Sequence, residues 1–211
     1  MTITRIILVL MILLATISFS CSSESDGQNS PDEGSNVNGG SSLSGTFQSG
    51  QYKNDYFGFA VSIPDSWQIT YDAFQGDLDM PANEFQYLPL LDCLEYPPGS
   101  GDSRIASLNI AVQKLPLSSD IHSGEDVHNA TKKELMLKTS GVSFPREIYE
   151  KNLGNATFHV METTITIDTT QKDYKLYAAI VKGYKFMVNL TYYSNEQFDK
   201  LDSIVNTIKF D

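Results

Sequence analysis

The chain holds three histidines and two cysteines in 211 residues, so its possible nucleophile–base and metal–ligand arrangements are few. His122 and His128 flank a helix-capping turn at a spacing that does not place two ligands on one helix face. His159 alternates with Phe158 and Val160, which marks it as a surface residue on an otherwise apolar strand. Cys93, within Leu90-Leu91-Asp92-Cys93-Leu94, reads as a small buried hydrophobe. Its acidic neighbours Asp92 and Glu95 raise a thiol pKa, the wrong direction for a nucleophile. A nucleophile elbow, a phosphate-binding loop, a dinucleotide-binding glycine run and a His-Glu-x-x-His pair are all missing from the sequence. Asp77-x-Asp79 with Glu84 resembles the start of a calcium loop. Pro81, however, falls where a third oxygen ligand belongs, and Ala82 where the loop needs glycine. The expectation is a protein that is not an enzyme and has no cofactor or metal site.

What remains is binding chemistry. Between Asp72 and Arg104 the chain carries many prolines, glycines and acids together with Phe85, Tyr87, Leu88, Leu90, Leu91 and Leu94. The stretch reads as an irregular acidic insertion of about 72–104. Long connections of that kind are commonly functional. Asp77, Asp79, Tyr87 and Glu95 are its candidate partner-binding residues. The alternative is a small-ligand receptor or an enzyme whose pocket lies under this insertion. With 15 basic against 26 acidic residues the net charge is −11, which argues against nucleic acid as a partner. Lys172, Lys175, Lys182 and Lys185 cluster around one hairpin and read as a solvated edge that discourages strand pairing.

The elements that must position these residues begin well inside the chain. Arg5 precedes the apolar run Ile6 to Ile17, which is short for a membrane span but suits a signal-peptide core. Cys21 follows, in a setting that looks like the lipobox of bacterial lipoproteins, with Ser18 where that pattern carries an aliphatic residue. Ser18 and Ser20 also satisfy ordinary signal cleavage. The expected organisation is a signal peptide at 1–20, then a lipidated Cys21 with a flexible Ser-, Gly- and Asn-rich linker at 21–51, then one folded domain at 52–211. A linker of that composition has too little apolar surface to fold. The protein is thus expected on the extracytoplasmic side of the cell membrane, anchored by lipid and facing an unknown extracytoplasmic protein.

Within the domain, Phe57, Phe59, Val61 and Ile63 alternate with small residues, as in a strand with one buried face. Pro64 stops it, and Trp67 and Ile69 restart the alternation after a tight corner, giving an opening hairpin. Leu108, Ile110 and Val112 mark another strand. Ser123 with Asp126 is a capping box that opens a helix through Thr139, ended by Gly141, with Val127, Ala130, Leu135 and Leu137 on a broad apolar face. Four strands follow. In one of them Phe158 and Val160 differ in parity from Ile165 and Ile167, which predicts a bulge near Glu162 to Thr164. In the last, Phe186, Val188, Leu190 and Tyr192 point inward, and Lys185, Asn189 and Thr191 point out. Ser194 with Gln197 is a second capping box, followed by the helical stripe Phe198, Leu201, Ile204, Val205 and Ile208. Hairpin-linked strands with two amphipathic helices specify an α+β domain, an antiparallel sheet flanked by helices.

The aromatic start, Gly58-Phe59, the exit Ser62-Ile63-Pro64, Trp67 and the closing Phe198 to Phe210 segment resemble PsbP-like domains. That resemblance implies an α/β/α sandwich over about residues 52–211, in a fold also found in photosystem II PsbP, a Ran-binding nuclear import factor and small bacterial lipoproteins. Neither photosynthetic function nor Ran binding is expected, because no motif for either partner is present.

The anchor is open to a direct check. Cys21→Ala should move the protein from the membrane fraction to the medium; retention on membranes after high-salt washing would mark the apolar run as an uncleaved anchor instead.

Overall fold

Alternating apolar residues build most of this structure, and the strands they form are sorted into two antiparallel sheets. The structure is a computed structural model, and it describes residues 43, 45–72, 87–95 and 104–211. All of these lie in one compact unit, 42–211. Strands β1 (Thr46–Gln48), β2 (Gln51–Asn54), β3 (Phe59–Ser62) and β12 (Lys209–Phe210) form a small sheet in the order β1-β2-β3-β12. The large sheet contains β4 (Gln68–Asp72), β5 (Tyr87–Leu94), β6 (Ser107–Lys114), β7 (Val142–Ser143), β8 (Tyr149–Leu153), β9 (Ala156–Ile167), β10 (Thr170–Val181) and β11 (Tyr184–Tyr192). Its order is β4-β5-β6-β11-β10-β9-β7, with β8 also paired to β9. Helix α1 (Gly124–Lys138) lies between β6 and β7 in the chain, and α2 (Asn195–Val205) between β11 and β12.

The α+β reading holds, and several details differ from expectation. The Pro64 corner does not make a hairpin. β3 pairs with β2 and β12, while β4 pairs with β5, so the corner carries the chain from one sheet into the other. Trp67 closes this corner, its N–H bonded to the Pro64 carbonyl at 2.9 Å, and its ring is buried. Strand pairing also reaches back before Tyr52, because β1 pairs with β2 from Thr46 onward. The stretch expected to be an irregular insertion contributes β5, which sits between β4 and β6 in the large sheet. Leu90, Leu91 and Cys93 are fully buried there. Pro89 and the acids hid this strand. A register shift between Pro89 and Leu91 lets the ladder tolerate the missing N–H.

No bulge interrupts the pairing of β9 with β10, which runs in continuous register from Thr170 opposite Ile167 to Ala178 opposite His159. The parity change has another cause. Phe158 and Val160 face the main core, whereas Met161, Thr163 and Ile165 are buried on the opposite face. The strand is covered on both faces, at different points along its length. Helix α2 covers the inner face with Leu201, Ile204 and Val205. Helix α1 covers the outer face, held so close that a Cβ on Gly124 would lie 2.0 Å from the Ala178 carbonyl oxygen. A helix on each face makes the α/β/α arrangement.

The α1 capping box is formed: the Ser123 hydroxyl accepts the Asp126 N–H, and the Asp126 carboxylate accepts the Ser123 N–H at 2.9 Å. At α2 the Ser194 hydroxyl caps Gln197, but the Gln197 side chain takes the Tyr193 N–H at 2.8 Å instead of closing a box on Ser194. The face α1 buries is narrower than expected. Val127 and Leu135 are buried, whereas Met136 and Leu137 are exposed. His128 fills the gap, fully buried, with Nε2 2.9 Å from the His159 carbonyl oxygen, to which the neutral ring donates. His159 itself is half-covered rather than exposed, its Nε2 3.6 Å from Glu150.

Burial pulls the His128 imidazole down from its ordinary 6.5 to about 4. The fold therefore favours the neutral ring, and that stability is complete above pH 6.5 and lost as pH falls toward 4. The loss amounts to about 3 kcal/mol at about 1.4 kcal/mol per pH unit. Urea titrations of His128→Gln, which keeps a donor near the His159 carbonyl, should show a flatter decline between pH 6.5 and 4 than the parent. Parallel declines would mean that His128 does not carry the acid sensitivity.

Candidate functional site

Four neighbouring strands bring polar side chains to the outer face of the large sheet. Asn109 of β6 stands directly opposite Asn189 of β11 and, on its other side, opposite Asp92 of β5. Thr191 of β11 stands opposite Tyr174 of β10. The Tyr87 hydroxyl of β5 donates to Asn109 Oδ1 at 2.7 Å. Asn189 Nδ2 donates to the same oxygen at 3.2 Å and reaches the Tyr87 hydroxyl at 3.4 Å. Asn189, Thr191 and Tyr174 form a buried floor, and Tyr87, Asn109 and Asp92 are its half-buried rim. The Tyr174 hydroxyl is buried without a hydrogen-bond partner. At the end of the strip the Lys172 ammonium lies 5.1 Å from the Tyr174 ring centroid and 5.7 Å from that of Tyr193.

The electrostatics keep this strip hydrogen-bonding and largely uncharged. Burial raises the Tyr87 hydroxyl pKa, reinforced by the Asp92 charge, and burial likewise raises that of Tyr174. Both remain protonated donors at any physiological pH. Burial lowers the Lys172 ammonium. An arrangement of donors and acceptors on rigid strands suits recognition of a polar surface.

The sequence-predicted residues do not converge. Tyr87 belongs to this outer strip. Glu95, just beyond the other end of β5, is buried against α2, where its Oε1 accepts Lys200 Nζ at 2.8 Å. Its N–H bonds the Ala106 carbonyl at 3.0 Å, and its second carboxylate oxygen is buried without a partner. Glu95 is thus a latch between β5 and α2 rather than a free contact. Asp77, Asp79 and Cys21 lie outside the described residues. Cys93 is buried, its thiol donating to the Leu108 carbonyl at 3.6 Å. Burial, helped by Asp92, pushes that thiol up to about 12. Among the described residues no group of three or more His, Cys, Asp or Glu is placed to hold a metal ion. No helix among them is long and apolar enough to cross a membrane.

The four lysines expected to guard a solvated edge are placed otherwise, because the β10–β11 hairpin lies in the interior of the large sheet. Lys172 sits on the aromatic pair of the outer strip. Lys182 donates to the Tyr56 carbonyl, and Lys185 to Gln113 Oε1 at 3.0 Å. Lys175 is buried on the inner face. Asn109, Asn189, Thr191 and Tyr174 were not singled out by their types. Their outward parity was readable, but not the strand order that gathers them.

Comparison by sequence finds no matching family model and no matching curated protein. Comparison by structure finds the solution structure of cyanobacterial PsbP (CyanoP) from Synechocystis sp. PCC 6803 similar at a TM-score of 0.50, with 10% identity over 76% of this chain and 91% of that one. The structure of LpqN, involved in cell envelope biogenesis of Mycobacterium tuberculosis, is similar at a TM-score of 0.46, with 12% identity over 72% of this chain and 82% of that one. The chain has a PsbP-like fold.

The Glu95 latch has a measurable signature. Lys200→Met leaves a buried carboxylate unpaired and should lower the midpoint of denaturant unfolding. Adding Glu95→Gln to that variant should recover part of the loss; strictly additive effects would show that the two side chains are not coupled.

Proposed function

We propose that the protein is a surface-exposed, lipid-anchored and non-catalytic binding or accessory protein, held on the extracytoplasmic side of the cell membrane through Cys21. The outer strip of Tyr87, Asn109, Asn189, Thr191 and Tyr174 is its contact for an extracytoplasmic protein partner. One observation carries this reading. The strip combines a buried, unpartnered Tyr174 hydroxyl with half-buried Tyr87, Asn109 and Asp92 at its rim. A partner that supplied an acceptor there would remove a desolvation cost of about 1–3 kcal/mol already present in the fold. The acidic net charge of −11 favours a partner with basic groups at its rim.

The reading is tested on intact cells with a photo-crosslinking phenylalanine derivative in place of Tyr87 or Asp92, and the same probe at Met136, an exposed residue of helix α1 that is not part of the strip. The expected outcome is a discrete protein adduct from positions 87 and 92 and none from 136. Adducts of equal yield at all three positions, or none at 87 and 92, would place recognition elsewhere.

A further inference from the structure

On the face opposite the strip, between β8, β9, β10 and α2, three basic and two acidic side chains meet at the border of the core. Asp202 of α2 accepts Lys151 Nζ on Oδ1 at 3.2 Å and Asn206 Nδ2 on Oδ2 at 2.9 Å. Glu162 of β9 accepts the Tyr149 hydroxyl on Oε1 at 2.8 Å, and Arg146 Nη1 approaches the same oxygen at 3.8 Å. Both carboxylates are therefore already engaged. Lys175 of β10 points into the space between them. Its side chain is only 9% exposed, yet its ammonium is 3.7 Å from Glu162 and 3.9 Å from Asp202. At these separations the ammonium is shared as an ion pair between the two carboxylates rather than fixed on either by one short hydrogen bond.

Tyr177 beside it has no such partner. It is fully buried, and its hydroxyl has no hydrogen-bond partner. Burial, reinforced by the charges of Asp202 and Glu162, raises its pKa, so it stays a protonated donor. The ammonium groups of Lys151 and Lys175 stand 5.7 and 5.8 Å from its ring centroid. The Phe198 ring, 4.7 Å from Lys175 Nζ, closes the other side. Lys151, Asp202 and Glu162 are half-buried, so the cluster reaches solvent at its rim. A latch that served only to fasten α2 to the sheet would not leave a buried hydroxyl without a partner. What the hydroxyl lacks is an acceptor, and the cluster has one positive charge more than it has negative.

We propose that Lys175, Lys151 and Tyr177 form a binding site for an oxyanion, the carboxylate or phosphate group of a ligand entering beside α2. Its oxygens would accept from the Lys175 ammonium and the Tyr177 hydroxyl, with Lys151 at the rim. Charge-assisted hydrogen bonds of this kind are the strong ones. The site is on the sheet face opposite the proposed partner strip and does not depend on it.

Calorimetric titration and thermal unfolding of the full chain at pH 7 with sodium phosphate, and separately with sodium acetate, test this against sodium chloride at matched ionic strength. Saturable binding and a raised melting temperature are expected with at least one of the two oxyanions and not with chloride. A response to phosphate alone or to acetate alone supports the site and names the group. Tyr177→Phe keeps the ring and removes only an unpartnered hydroxyl, so it should fold at least as stably in chloride. It should nevertheless bind the oxyanion about tenfold more weakly, and Lys175→Met should abolish binding. The proposal is overturned if neither oxyanion binds, or if Tyr177→Phe binds as the parent does.

Discussion

One cluster of aromatic rings joins the beginning of the folded unit to its end. Phe59 of β3 packs edge-on against Phe186 of β11, with centroids 5.0 Å apart, and stacks on Phe210 of β12 at 5.6 Å. Phe158 of β9 reaches Phe210 at 5.5 Å, and Phe186 reaches it at 5.3 Å. Strands as short as those of the small sheet cannot hold together through ladder bonds alone. Their stability comes from burying these rings against the large sheet, each ring hiding about 150–250 Å². The last residues are indispensable to this arrangement. The Asp211 N–H bonds the Gly58 carbonyl at 3.0 Å, and a Cβ on Gly154 would meet the Phe210 nitrogen at 2.6 Å. The turn between β8 and β9, the last strand and the first aromatic strand are thereby locked into one packing unit.

With the inner face committed to that core, the large sheet still has a second face to cover. Helix α1 covers the part over β9 and β10, so both parities of those strands are buried. Polar side chains that a one-sided sheet would leave in water are buried on this second face: His128 from the helix, and Asn189 and Thr191 from the strands. Each must then be satisfied within the protein or bear the cost of desolvation. His128 and Asn189 are satisfied, by the His159 carbonyl and by Asn109. The hydroxyls of Tyr174 and Tyr177 are not.

The division between what the sequence reveals and what it hides follows from this two-sidedness. Local period is readable wherever one face dominates, as in Phe57 to Ile63, the Ser123–Asp126 box and the Leu201–Ile204–Val205 stripe. It fails where both faces are covered. The parity change in β9 imitates a bulge, and the lysines of β10 imitate an exposed edge, because period counts apolar residues and not neighbouring strands. β5 was hidden for a different reason. Pro89 and its acidic flanks are local signals for a loop, and the tertiary pairing with β4 and β6 overrides them. The outer strip could not be assembled from sequence at all. Its members come from four strands whose adjacency is set by the crossovers of the sheet.

Tyr174 and Tyr177 lie three positions apart in β10 and so on opposite faces of the sheet. Packing alone does not explain them. Phenylalanine would fill the same space at either position without burying an unpaired hydroxyl, a cost of about 1–3 kcal/mol for each. Neither group is an accident of an unfinished region, since both are in the most continuous part of the ladder, where β10 pairs with β9 and β11 over most of its length. A rigid strand is the best available mount for a hydrogen-bond donor whose acceptor comes from outside, because its direction is fixed before the ligand arrives. The two hydroxyls are accordingly mounted back to back, one in the polar strip and one beside the buried ammonium.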